Sequence, residues 1–175
     1  MATELAKTPP TSLASAGAEV SDWYQEGIVA GMIGAATVAV WFLILDTFRG
    51  HPLYTPSLLG TALFGGREVL TAPETLTASF QMTLLYTWVH GLVFVVIGGL
   101  ASLLLGRAEE NPDWGFGILL LFAIFMFGFV VVTMSFAEPV LHALTWPAIL
   151  LGNFLAAVAM GTYFWRRHPD LTIRP

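Results

Sequence analysis

Four long apolar stretches, almost free of charge, constrain this chain more than any other feature: residues 28–45, 80–105, 115–136 and 143–165. A bilayer's hydrocarbon core is about 30 Å thick, and a helix rises about 1.5 Å per residue, so about 20 apolar residues are needed to cross it. Each stretch meets or nearly meets that length. The expected fold class is an all-α membrane protein, a four-helix transmembrane bundle with a short interfacial or re-entrant helix in the first outer loop. The expected organisation is a flexible tail over 1–22, a helical domain over 23–167 and a second tail over 168–175.

Composition agrees. Hydrophobic residues form 56% of the chain and charged residues 11%, against about a quarter charged in soluble domains. The net charge of −5 comes from acidic residues scattered through tails and loops. No basic cluster points to nucleic acid. With 0 cysteines, disulfides, thiolate metal sites and thiol catalysis are excluded. Residues 1–22 lack the early apolar run of a secretory signal, so the first helix is expected to act as an uncleaved anchor.

Lys and Arg in short loops set orientation. With a cytoplasmic N-terminus, the inside set is Lys7, Arg107, Arg166, Arg167 and Arg174, and the outside set is Arg49 and Arg67. This bias places both termini in the cytoplasm. Trp23, Trp114 and Trp165 then fall at the inner interface and Trp146 near the outer one, as aromatic belts require.

The 47–79 segment is the one long connection expected to carry internal order. Thr55-Pro56 reads as an N-cap followed by proline at the first helical position, and Gly65-Gly66 as a stop. The apolar run 57–64 between them is too short to span. Thr71-Ala72-Pro73-Glu74 matches a capping box opening the second span.

Small residues mark packing faces. Gly27, Gly31, Ala35 and Ala39 recur every four residues along the first span, and Ala148, Gly152 and Ala156 along the fourth. Such stripes let backbones approach where lipid supplies no hydrophobic push between helices. They either pack within the bundle or present a face to another subunit or a second copy. The third stretch carries Phe122, Phe125 and Phe129 on one face, which suits lipid contact or structural packing.

Ionisable groups inside a span are costly and call for a reason. The candidates are His90, Glu138, His142 and Asp46, with His51 in the adjoining loop. Glu138 and His142 are four residues apart and share a face if helical. Joined by His90, they can bind a divalent metal or relay protons near the outer surface. Two histidines also raise haem b, although His142 lies nearer the interface than His90, which fits opposed axial ligands poorly. The competing structural reading has His90 bonded to a backbone carbonyl or Thr87, Glu138 capping a helix, His142 snorkelling, and Asp46 bonded to Arg49 or the loop after it.

The sequence holds no HExxH, GxSxG, phosphate-loop or dinucleotide motif. The expected function is therefore non-catalytic: an accessory or scaffold subunit of a larger membrane assembly in a bacterial inner membrane, a bioenergetic one in the narrower reading. Its expected partners are the lipid bilayer and other membrane subunits or itself. The alternatives are a metal-, haem- or proton-handling protein with a site near the outer face, and an oligomeric small transporter or channel. Transport is weakened by the lack of an internal repeat and of a polar stripe along the third stretch.

Overall fold

In a computed structural model, the residues described are 13–65, 77–110 and 146–169, together with Gly117, Leu120, Ala123 and Phe127, each of which is helical. The described elements are helices: α1 (Leu13–Phe48), α2 (Tyr54–Phe64), α3 (Phe80–Glu110) and α4 (Trp146–Arg167). Three of them, over Asp22–Phe48, Phe80–Ala108 and Trp146–Arg167, are long and apolar enough to cross a membrane. Together they indicate an integral membrane protein. Helices suit that setting because each satisfies its backbone polar groups internally, with no water to help. The third apolar stretch, 115–136, lies outside the described residues apart from the four isolated positions.

α1 is the element on which α3 and α4 pack. It runs antiparallel to α3, with Gly27 against Gly98 and Gly99, Gly31 against the Phe94–Val95 backbone, and Ala35 opposite His90. A Cβ on Gly27 would stand 2.6 Å from the Gly99 Cα, and one on Gly98 would collide with the Gly27 carbonyl oxygen. The two backbones therefore touch directly. Below this crossing the Ser102 hydroxyl donates to the Trp23 carbonyl at 2.9 Å, and the Trp23 ring covers Gly106.

α4 also runs antiparallel to α1, on another face. The Trp41 indole N–H donates to the Ala148 carbonyl at 2.9 Å, and the same ring lies over Gly152. At the far end His168 reaches Glu26 at 2.8 Å. Ala30, Val38, Phe94, Ala156, Met160 and Phe164 fill the core between the three long helices. The Met160 sulfur and the Phe94 ring close over Gly34, which has no side chain to obstruct them. Both small-residue stripes thus face inward for most of their length; Ala39 alone of the α1 set is exposed.

α1 begins at Leu13, well before the end of the tail expected to be flexible. Its early residues include several alanines, the strongest helix former, and the helix continues through them. It ends in a Schellman turn. Gly50, with φ of 79°, follows the helix while its N–H donates to Thr47 O at 3.0 Å and the His51 N–H donates to Asp46 O at 3.0 Å. Leu53, at φ 67°, is a second left-handed residue. That conformation costs a side-chain-bearing residue about 1–2 kcal/mol. The two bends fold α2 back against α3. With 11 residues, α2 is about 16 Å long, far short of a span.

α3 starts with Ser79 as its N-cap, the Ser79 hydroxyl accepting the Met82 N–H at 3.4 Å. The Ser79 N–H in turn donates to the Ser57 hydroxyl at 2.7 Å, tying α2 to the start of α3. The capping box at residues 71–74 lies outside the described residues.

Gly98→Leu should split the α1–α3 contact and lower the thermal midpoint in detergent, at a cost of about 1–3 kcal/mol or more for overpacking. Gly91 sits in the same helix with nothing within 4 Å of an added Cβ, so Gly91→Ala should be neutral or slightly stabilising. Equal losses from both, read by thermal unfolding of the detergent-solubilised protein, would contradict the direct backbone contact.

Candidate functional site

Asp46 is 1% exposed and holds α2 in place. Its Oδ2 accepts the Thr55 backbone N–H at 2.7 Å, and its Oδ1 accepts the Thr55 hydroxyl proton at 2.7 Å. A carboxylate at a helix N-terminus answers both the unsatisfied N–H groups and the positive end of the dipole. Thr55 was expected to cap its own helix. Instead the helix starts two residues earlier than expected, at Tyr54 after Leu53, and no side chain of Leu53 caps it. The carboxylate is the stronger acceptor, so the cap comes from α1 rather than from within α2.

His90 lies on α3 with its Nε2 3.3 Å from the Ala35 carbonyl oxygen. A carbonyl can only accept, so Nε2 carries the proton and Nδ1 keeps its lone pair. The imidazole stacks on Tyr86, with ring centroids 5.5 Å apart, and meets Phe94 at 4.8 Å. Ala35 and Asp46 are separated by about 16 Å along α1, so His90 and Asp46 belong to different levels of the bundle. His51 is exposed in the turn between α1 and α2. Glu138 and His142 lie outside the described residues. Among the described residues, no group of three or more His, Cys, Asp or Glu is placed to hold a metal ion.

Between α1, α2 and α3 the helices leave a cavity of about 190 Å³. Val38, Phe42 and Leu59 form its apolar walls, and Tyr86, Thr87 and His90 line it from α3. The Thr83 and Thr87 hydroxyls donate to Ser79 O at 2.9 Å and Thr83 O at 2.7 Å within their own helix. The Thr55 hydroxyl is engaged by Asp46. Among the described residues, the Tyr86 hydroxyl has no such partner.

Two further groups stand out that sequence reasoning did not single out. Glu26, 6% exposed, pairs with His168 where α1 and α4 meet. The signal available was an acid four residues after Asp22 at the start of an apolar run, but nothing local named its partner, which is 142 residues away. Asn153 is 4% exposed, and its side-chain nitrogen has no partner among the described residues. Tyr86 was missed because nothing in the sequence says what a tyrosine within the second apolar stretch will face.

Set against known proteins, the chain finds no match: no family model fits it, and no curated protein or solved structure is significantly similar. The site has to be judged on its own geometry.

Asp46→Ala removes both bonds and strands the Thr55 N–H, which should cost about 1–3 kcal/mol. Hydrogen exchange should then accelerate across residues 54–58, with Asp46→Asn falling between the variant and the parent. Unchanged protection of α2 in Asp46→Ala would show that something other than the carboxylate holds it.

Proposed function

We propose that this chain is a non-catalytic membrane protein, an accessory or scaffold subunit of a larger assembly in a bacterial inner membrane, built as a four-helix bundle with both termini cytoplasmic. One observation carries the non-catalytic reading. Within the described spans, almost every polar side chain is engaged in closing the bundle: His90 on Ala35, Trp41 on Ala148, Ser102 on Trp23, Asp46 on Thr55. The threonines bond back to their own helices. Little is left for chemistry or for a polar path.

A subunit role is supported by the outer face of α3. Phe80, Leu84, Trp88, Leu92, Val96 and Leu100 recur every four residues and are all exposed, Trp88 by 80%. Lipid or a neighbouring subunit suits such a ridge. The fourth span is supported by direction. α3 and α4 are both antiparallel to α1, so Glu110 and Trp146 stand at opposite ends of the bundle. A further crossing between them accounts for this reversal. Residues 115–136 are apolar and long enough, and Gly117, Leu120, Ala123 and Phe127 are helical. In this topology Arg107, Arg166 and Arg167 gather at one end, the end that the positive-inside rule assigns to the cytoplasm. α2 then lies at the outer end, too short to cross and packed on α3, which supports a re-entrant or interfacial placement.

The subunit reading is tested by mild-detergent purification from the native membrane, with mass spectrometry of the peak. Larger membrane proteins should co-elute in fixed stoichiometry. A lone monomer would overturn it.

The absence of native cysteine makes the topology directly readable. In intact cells, a membrane-impermeant maleimide should label His51→Cys and Trp146→Cys, and spare Arg107→Cys and Arg167→Cys until the membrane is opened. Labelling of Arg107→Cys and Trp146→Cys from the same side would rule out the fourth crossing.

A further inference from the structure

We propose that the cavity between α1, α2 and α3 is a binding site for a lipid-soluble aromatic ring bearing a hydroxyl or carbonyl oxygen, the headgroup chemistry of phenols and quinones. Size is the first argument. At about 190 Å³ the space exceeds the cavity of about 150 Å³ known to hold a benzene ring. Wall chemistry is the second. Val38, Phe42 and Leu59 are apolar, and the threonines along the wall have their hydroxyl protons turned onto backbone or carboxylate acceptors. A stable water needs two to four polar partners, and these walls do not supply them.

The third argument is the pair of polar groups left, the Tyr86 hydroxyl and the His90 Nδ1. The Tyr86 hydroxyl is a donor without a partner among the described residues, on a residue that lines the cavity. A phenol hydroxyl with no partner beside apolar walls is available to donate to a ligand oxygen. Beside it, His90 is fixed on both sides: its Nε2 proton is held by Ala35, and its ring is stacked on Tyr86. That pins the Tyr86 ring from behind and leaves the His90 Nδ1 lone pair as the acceptor a ligand hydroxyl would meet. A ring with one oxygen satisfies these groups together; a plain hydrocarbon tail satisfies none.

α2 controls the site. Leu53, Thr55, Pro56 and Leu59 close the cavity from the α2 side, and Thr55 is the residue that Asp46 grips. The strained left-handed backbone of Leu53 lies at the same wall, and strain of this kind concentrates where a structure is built to bind.

The test uses the full chain in phosphatidylcholine nanodiscs and two photoreactive probes, a phenol carrying a small alkyl diazirine and its counterpart without the hydroxyl. The phenol probe should label residues of the cavity wall, and excess 4-ethylphenol should compete it away. Tyr86→Phe deletes only the hydroxyl, so its thermal midpoint should not fall, while labelling should drop by about tenfold. Ala39, another wall residue, provides the independent block: Ala39→Phe should abolish labelling by filling the space. Equal labelling by both probes, or undiminished labelling of Tyr86→Phe, would mean that the cavity is a slot for lipid tails and would overturn the proposal. So would phenol labelling spread over the protein without preference for the cavity wall.

Discussion

Everything in this bundle depends on how closely α1 can approach α3. In water, apolar faces are driven together by the solvent. In a bilayer the surroundings are as apolar as leucine, and association rests on dispersion and on bonds between helices. Dispersion falls steeply with distance, so bulky side chains between the axes would forfeit it. Gly27, Gly31 and Gly98 remove them, bringing backbone onto backbone. With α1 so placed, the Ala35 carbonyl is available to His90 and the Trp23 carbonyl to Ser102. These polar contacts are within reach because the glycines let the backbones approach.

The second constraint is the disposal of Asp46. A carboxylate at the end of a membrane helix is costly unless its lone pairs are met. Here it takes two bonds from one threonine, and in doing so it fixes a helix too short to hold itself. The same residue's carbonyl closes the turn that ends α1. One position therefore terminates one helix and begins the next, and the cavity wall made by α2 exists because of it.

Length and hydropathy revealed the long helices because spanning a bilayer is a one-dimensional requirement that the chain must write out in order. Residues 28–45, 80–105 and 143–165 fall within or close to α1, α3 and α4 for that reason. The short helix was visible from its flanking Thr55-Pro56 and Gly65-Gly66. Its cap was not, since nothing in the sequence says that Asp46 outcompetes the hydroxyl of Thr55. Glu26 with His168, and Tyr86 with His90 and the cavity, were hidden for a related reason. Each depends on which faces of separate helices meet, and apolar stretches with little amphipathic pattern do not specify facing. The stripes of Gly and Ala were the exception, because a missing side chain constrains its neighbour as strongly as a present one.

The antiparallel seating of α4 on α1 has a consequence for biogenesis. Trp41 finds the Ala148 carbonyl across 107 residues, and Glu26 finds His168 across 142. While the chain is being made, α1 and α3 can pair as soon as both have left the ribosome, yet one flank of α1 stays bare until α4 is inserted. Gly34, the Trp41 ring and Glu26 lie on that flank. Until α4 is in place, the Glu26 carboxyl and the groove over Gly34 lack the partners that α4 brings them. Burial of that flank of α1 waits for α4 to cover it.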